Sequence, residues 1–168
     1  PVVRASETSR AVVAVCGGEA KSEFVRTLSA DRVIDYRAVS VADVLRAEYP
    51  DKLDVAIDTV SGGIFDAFLD NVAPHGRVVV GGAAADLEGR PEIVTAPRIA
   101  HKLYYKGASV RGFMNGLLSQ HWPPARETVF DLYESGKLKV VFDEVRSTGL
   151  EGVFDAVERL LSGRSMGK

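Results

Sequence analysis

Short β-branched segments alternate along the chain with helical segments of about ten residues, and this alternation limits the possible folds more than any other feature. Strands separated by such helices form βαβ units, in which neighbouring strands run parallel. The sequence therefore predicts an α/β fold with a parallel sheet that is covered by helices on both faces. The predicted strands are Ala11–Cys16, Arg32–Tyr36, Asp54–Thr59, Arg77–Val80, Ser109–Gly112 and Lys139–Phe142.

Helical periodicity and turn residues place the helices between these strands. The predicted helices are Ala20–Leu28, Ala42–Glu48, a helix opened by Gly62 and Gly63, Arg98–Tyr105, Arg126–Ser135 and Leu150–Leu161. The last helix is expected to end at Gly163, a suitable left-handed cap, and to bury Val153, Phe154, Val157 and Leu161. The unbroken apolar run Ala11–Cys16 predicts a strand buried on both faces. The Gly-, Ala- and Pro-rich stretch Gly81–Pro97 predicts a long surface loop.

Composition narrows the class of protein. The chain has 168 residues, 46% of them hydrophobic, and a net charge of -2. These values predict a single ordered domain and argue against a nucleic-acid partner. A single cysteine, Cys16, excludes an intramolecular disulfide framework and a Cys-rich zinc site, which fits a reducing cytoplasm. No apolar run approaches the ~20 residues of a membrane span, so no membrane partner is expected.

In parallel α/β sheets, ligands bind beyond the carboxyl ends of the strands. Here the residues in those positions are Gly17-Gly18, Tyr36, Thr59–Gly63, Gly81-Gly82 and Phe113–Asn115. Lys21 lies one turn into the helix after Gly17-Gly18, where it could bind an anion. The simpler interpretation is a tight glycine turn followed by a solvated lysine. Residues alone leave both interpretations open.

Several familiar catalytic and cofactor motifs are missing. The sequence contains neither Gly-x-Gly-x-x-Gly nor a Walker-type Gly-Lys-Ser/Thr. His75, His101 and His121 are far apart, and no pair has metal-ligand spacing. Ser61 does not lie in a Gly-x-Ser-x-Gly elbow. We therefore predict no metal site and name no catalytic residue.

Taken together and in order, the strand ends resemble the cofactor domain of the medium-chain dehydrogenase/reductase family, in its zinc-independent quinone oxidoreductase and prostaglandin reductase branch. The resemblance covers roughly residues 11 to 168. It is carried by the segments Val12–Lys21, Leu28–Tyr36, Asp54–Gly63, Gly76–Gly82, Val110–Phe113 and Gly163–Lys168.

The resemblance implies a Rossmann-like fold that binds NADPH across the strand ends. It implies that Lys21 and Tyr36, beside the Gly17-Gly18 turn, flank the adenosine 2′-phosphate. It places Val60 and Ser61 near the ribose and Ser165 near a cofactor phosphate. The positions that it places near the nicotinamide are Gly81, Gly82, Phe113 and Met114. The implied activity is hydride transfer to the C=C bond of an enone or quinone, by an enzyme that is a homo-oligomer.

Members of that family begin with a barrel-like catalytic domain, followed by the first Rossmann strand and its Gly-rich turn. Residues 1 to 10 do not resemble that strand. We therefore expect residues 1–168 to form a single, partial dinucleotide-binding domain without the catalytic domain, inactive on its own. A missing central strand leaves a gap, which the sheet halves, a partner's strand or Ala11–Cys16 could fill.

Two other functions stay open at this point. If Ala11–Cys16 is itself the central strand, Gly17-Gly18 becomes the nucleotide turn and Asp35 a ribose-hydroxyl acceptor. The chain would then be a stand-alone nucleotide- or S-adenosylmethionine-binding domain, and its first strand would lie beside Val55–Thr59. Alternatively, the chain is a catalytically inactive NADPH-binding module.

Overall fold

The computed structural model describes residues 11–86, 93–94 and 96–167. The strands, all short, are β1 (Val13–Cys16), β2 (Arg32–Asp35), β3 (Leu53–Asp58), β4 (Val72–Val80) and β5 (Ser109–Gly112). The helices are α1 (Glu19–Thr27), α2 (Val41–Glu48), α3 (Gly63–Asn71), α4 (Ala100–Tyr104), α5 (Trp122–Glu134) and α6 (Val153–Leu161). Ala84–Asp86 and Asn115–His121 form 3-10 turns. No helix in the described ranges is both long and apolar enough to span a membrane.

The chain divides into two compact units, which are described separately. One unit comprises the described parts of Pro1–Ala38 and Gln120–Lys168, and the other is Val39–Ser119. In the first unit, β1 and β2 pair in parallel, with Val13 opposite Arg32 and Cys16 opposite Asp35. Helix α1 packs against both strands. This is one βαβ unit, as the alternating pattern predicts.

The second unit contains a three-stranded parallel sheet in the order β3-β4-β5. Helix α3 packs against β3, β4 and α2. The register shifts between Leu53 and Val55, which pair with Val72 and Arg77 of β4. His75 adopts a positive φ of 61° there. The buried core of this unit is formed by Ala56, Leu69, Val72 and Val78.

Each described strand pairs with strands of its own unit. β1 pairs with β2 in the first unit, and β3 pairs with β4 in the second. The α/β, Rossmann-like fold is confirmed, with a two-stranded parallel sheet in the first unit and a three-stranded parallel sheet in the second.

Three local predictions need correction. Lys139–Phe142 is not a strand, because it has no ladder partner within the described part of the chain. Strand β1 is half-buried instead of buried on both faces. Val153, Phe154, Val157 and Leu161 of α6 are exposed, because no described segment packs over them. The predicted loop Gly81–Pro97 falls partly outside the described residues.

Candidate functional site

The turn after β1 is shaped by contact between a glycine and an aromatic ring. A methyl group on Gly17 would lie 2.6 Å from Cζ and 2.7 Å from Oη of Tyr36. No Cβ fits at that distance, so only glycine lets the Tyr36 phenol lie over the turn. Gly18 has a φ of 91°, a conformation that side chains rarely adopt. The backbone conformation therefore favours glycine at position 18, and a glycine at position 17 leaves Tyr36 its observed position.

Asp35 ties the end of β2 to this turn. Its Oδ1 accepts hydrogen bonds from the Gly18 N–H at 2.8 Å and the Arg37 N–H at 2.9 Å. These two bonds, the Gly18 one foremost, hold the pKa of the Asp35 carboxyl below its usual value. Because Oδ1 is occupied by backbone donors, Asp35 builds the turn.

Lys21 is not the solvated helix residue of the simpler interpretation. Its side chain is partly buried, and Nζ donates a hydrogen bond to the Gly163 carbonyl at 2.7 Å. Gly163 has a φ of 69° and ends α6, which confirms the predicted left-handed cap. Lys21 and the residues after α6 therefore lie side by side.

Besides the Lys21 bond to Gly163, hydrogen bonds to Asp143 hold the segment that follows Gly163. The Asp143 carboxylate accepts from Nη2 and Nε of Arg159, at 3.0 and 3.1 Å, and from the Met166 N–H at 2.9 Å. The Arg159 guanidinium, together with backbone donors, holds the pKa of Asp143 well below its usual range. Ser165 thus lies between Gly163, bound by Lys21, and Met166, bound by Asp143.

Arg37 completes the surroundings of the β1 turn. Its Nη1 lies 3.8 Å from the position of a methyl group on Gly18, and its Nη2 lies 3.5 Å from the equivalent position on Gly163. Its Cζ lies 6.0 Å from the centre of the Tyr36 ring. We define the turn cluster as Gly17, Gly18, Lys21, Tyr36 and Arg37. The cluster places two cationic groups and a phenol around a glycine turn.

In the second unit, Asp58 organises the residues that follow β3. This carboxylate is buried, with 1% of the residue exposed, and it accepts from the N–H groups of Val60 at 2.9 Å and Ser61 at 3.0 Å. The bonds force a tight turn in which Ser61 has a φ of 71°. Ser61 Oγ then donates to the Gly82 carbonyl at 3.4 Å.

The ends of β4 and β5 lie next to that turn. The Gly81 N–H donates to the Asp58 carbonyl at 2.7 Å, and a methyl group on Gly82 would lie 2.8 Å from the Thr59 carbonyl oxygen. Phe113 Cδ1 lies 4.0 Å from the position of a methyl group on Gly81. Met114 follows Phe113 and is exposed. Close backbone approach explains why glycine occupies position 82.

The predicted site residues thus fall into two sets, one in each unit. The first unit holds Gly17, Gly18, Lys21, Tyr36 and Ser165, and the second holds Val60, Ser61, Gly81, Gly82, Phe113 and Met114. Sequence reasoning missed Asp58, Arg37 and the Gly163 carbonyl. Asp58 carries a recognisable signal, which it shares with Asp35, since an aspartate that ends a strand often bonds the N–H two residues on.

Among residues 11–86, 93–94 and 96–167, no group of three or more His, Cys, Asp or Glu side chains is placed to hold a metal ion. Cys16 is a free thiol whose Sγ lies 3.5 Å from Ser22 Oγ. The turn cluster therefore offers cationic and hydroxyl groups, which suit an anionic ligand.

The chain is similar to several oxidoreductases over nearly its whole length. It is 33% identical to prostaglandin reductase-3 of Mus musculus and 30% identical to a probable quinone oxidoreductase of Leishmania amazonensis, with 94% of this chain aligned in each case. It covers 44% and 47% of those proteins. The chain therefore spans about half the length of the curated relatives it matches.

A solved structure supports the same fold. The crystal structure of CurA from Vibrio vulnificus in complex with NADPH superposes with a TM-score of 0.80 at 24% identity, covering 94% of this chain and 48% of that one. The family model described as zinc-binding dehydrogenase matches residues 28–168. Because that match includes most of the chain, this protein belongs to the zinc-binding dehydrogenase family of medium-chain dehydrogenase/reductases.

Proposed function

We propose that this chain is the NADPH-binding portion of an oxidoreductase that transfers a hydride to the C=C bond of an enone or quinone. Its similarity to a prostaglandin reductase and to a probable quinone oxidoreductase supports the reaction class. The NADPH complex of the Vibrio protein shows that the same fold accommodates this cofactor there. The enone or quinone substrate, the single dinucleotide-binding domain and homo-oligomerisation are parts of the same proposal.

The observation that carries the proposal is the turn cluster at the carboxyl end of β1. The Tyr36 phenol lies over Gly17, and it fits there because Gly17 has no side chain. Lys21 uses one of its three donors on the Gly163 carbonyl and keeps two for a ligand. An ammonium group and a phenol beside a bare glycine turn fit the 2′-phosphate that distinguishes NADPH from NADH.

We propose that residues of the second set also bind the cofactor. Gly81 and Gly82 present backbone without side chains, and Phe113 offers an aromatic face next to them. We assign Val60 and Ser61 to the ribose, and Gly81, Gly82, Phe113 and Met114 to the nicotinamide. We assign Ser165, which lies between two anchored residues, to a phosphate.

NADPH, when bound, supplies the hydride, and these residues bind and orient it. We assign no general acid to the chain. We therefore propose that the chain alone binds cofactor without turning over substrate.

The decisive experiment is calorimetric titration of the chain with NADPH and with NADH. A hydrogen bond to a charged group is worth about 1.5–3 kcal/mol, so Lys21→Ala should weaken NADPH binding roughly ten- to a hundredfold and leave NADH binding nearly unchanged. Lys21→Met keeps the aliphatic stem and should show the same loss. Lys137→Ala, at an exposed lysine of the same unit, is the matched control and should change neither affinity.

Two results would contradict the proposal. One is tighter binding of NADH than of NADPH by the unaltered chain. The other is an equal loss of both cofactors in Lys21→Met, which would make the lysine a structural residue. The proposed inactivity of the chain alone is tested by adding an enone or a quinone to the same samples and following NADPH absorbance. Steady oxidation of NADPH would show that the chain alone is active.

A further inference from the structure

We propose that Arg37 is a further ligand of the ribose 2′-phosphate and sets the preference for NADPH over NADH. This inference rests on the proposed function, because it extends the same binding site by one residue. Arg37 belongs to none of the motifs that carry the family resemblance, and the sequence pattern alone does not select it. It is selected by its position beside Gly18 and Gly163 in the structure.

The guanidinium lies close to two glycines, Gly18 and Gly163. Nη1 approaches Gly18 and Nη2 approaches Gly163, at 3.8 and 3.5 Å from the positions of their missing methyl groups. The Gly163 carbonyl is also the acceptor for Lys21 Nζ. Lys21, from α1, and Arg37, from the segment after β2, therefore reach the same glycine. An anion over the β1 turn would meet both cations.

The chemistry of arginine suits a phosphate. Its planar guanidinium presents parallel N–H donors that match two phosphate oxygens, which a lysine ammonium cannot do. The Arg37 side chain is exposed, and no hydrogen bond from its guanidinium is found to the described residues. The Tyr36 ring, 6.0 Å from Cζ, lies at the limit of a cation–π contact and supports the same orientation. These donors are available for a ligand.

Two carboxylates lie close to this site and oppose an anion. Asp35 already uses Oδ1 to accept from the Gly18 and Arg37 backbone N–H groups, so its charge is directed at the turn. The same two bonds fix the Arg37 backbone next to Gly18, which makes Asp35 a positioning residue for Arg37. Glu19, in the first turn of α1, is exposed to solvent, where water and salt screen its charge. Lys21 and Arg37 together offset these two negative charges.

The test compares Arg37→Gln with Arg26→Gln, which alters an exposed arginine of α1 in the same unit. Each variant and the unaltered chain are titrated with NADPH, NADH and 2′-AMP. Arg37→Gln should weaken binding of NADPH and 2′-AMP by about tenfold, equivalent to one charge-assisted contact, and leave NADH unchanged. Arg37→Lys should recover part of the loss, since it restores charge without the planar donor pair. Arg26→Gln should change none of the three affinities.

The outcomes separate this inference from the proposed function. If Lys21→Met loses NADPH while Arg37→Gln retains it, the inference is wrong and the proposed function stands. Equal losses of NADPH and NADH in Arg37→Gln would also overturn the inference, because they indicate a structural role. If the unaltered chain binds neither NADPH nor 2′-AMP, both proposals fail.

Discussion

The unit Val39–Ser119 has a buried core, whereas the helices after Gln120 have none. In the first, Leu69, Val72 and Val78 are fully buried between α3 and the three-stranded sheet. In α5 and α6, which the structure describes in full, every residue is at least partly exposed. Both regions carry apolar side chains at helical spacing. The difference teaches that periodicity identifies an apolar face but not the segment that covers it.

The exposed region is apolar beyond its helices. Contiguous apolar side chains of α5 and of the segment after it line a shallow groove, namely Val129, Phe130, Tyr133, Leu138, Val140 and Phe142. Contiguous apolar surface of this kind is typical of a face that contacts another segment or molecule. The contrast between the two regions therefore predicts that a substitution in the buried core lowers the free energy of unfolding more than the same substitution in α5 or α6.

The largest effect is expected in the buried core. Leu69 is 0% exposed, so Leu69→Ala should lower the free energy of unfolding by about 2–5 kcal/mol, through lost burial and a cavity. Leu161→Ala makes the same change on α6, where the residue is 56% exposed, and should cost less than about 0.5 kcal/mol. Urea unfolding followed by circular dichroism measures both values. Equal losses would remove the distinction between the regions.

Local sequence predicted most of the fold because the elements depend on local properties. β-Branched runs located β1, β2, β3 and β5 to within two residues at each end, and Gly163 was correctly predicted as a helix cap. Lys139–Phe142 has the composition of a strand, but strand formation also requires a paired partner, which is a long-range property.

The site was less predictable for the same reason. The resemblance supplied Lys21 and Tyr36, but no local pattern could show that Lys21 bonds a carbonyl 142 residues away. The contact of Tyr36 with Gly17 and the reach of Arg37 depend on side-chain orientations that the sequence does not encode locally. Asp58 was overlooked because its role is to accept backbone hydrogen bonds, which leaves no motif beyond an aspartate at a strand end.

A smaller effect on stability is expected at Asp143, which stabilises its region through an ion pair and hydrogen bonds instead of apolar burial. Asp143 has a pKa well below the usual value because Arg159 and backbone N–H groups bond its ionised form. A carboxyl with a lowered folded-state pKa stabilises the protein above the unfolded pKa of about 3.9 and loses that contribution as the pH falls through its folded pKa. Asp143→Asn should therefore be less stable than the unaltered chain at neutral pH. The difference should shrink as the pH falls below about 4.

Thermal melts of both proteins at neutral and acidic pH test this prediction. Asp155→Asn, at an exposed acidic residue in the first turn of α6, serves as the control and should leave the pH dependence nearly unchanged. A stability difference that stays constant with pH would show that Asp143 acts through packing instead of charge.

The smallest effect on unfolding is expected at the most exposed aromatic residue of α6. Phe154 is 83% exposed, so Phe154→Ser removes little buried surface and should change the free energy of unfolding by less than about 0.5 kcal/mol at low protein concentration. The same change should reduce self-association, because it takes a large apolar side chain off the surface. Sedimentation over a range of concentrations, together with urea unfolding, measures both quantities. A loss of stability as large as that of Leu69→Ala would mean that the α6 face is covered in solution, and the contrast between the two regions would then disappear.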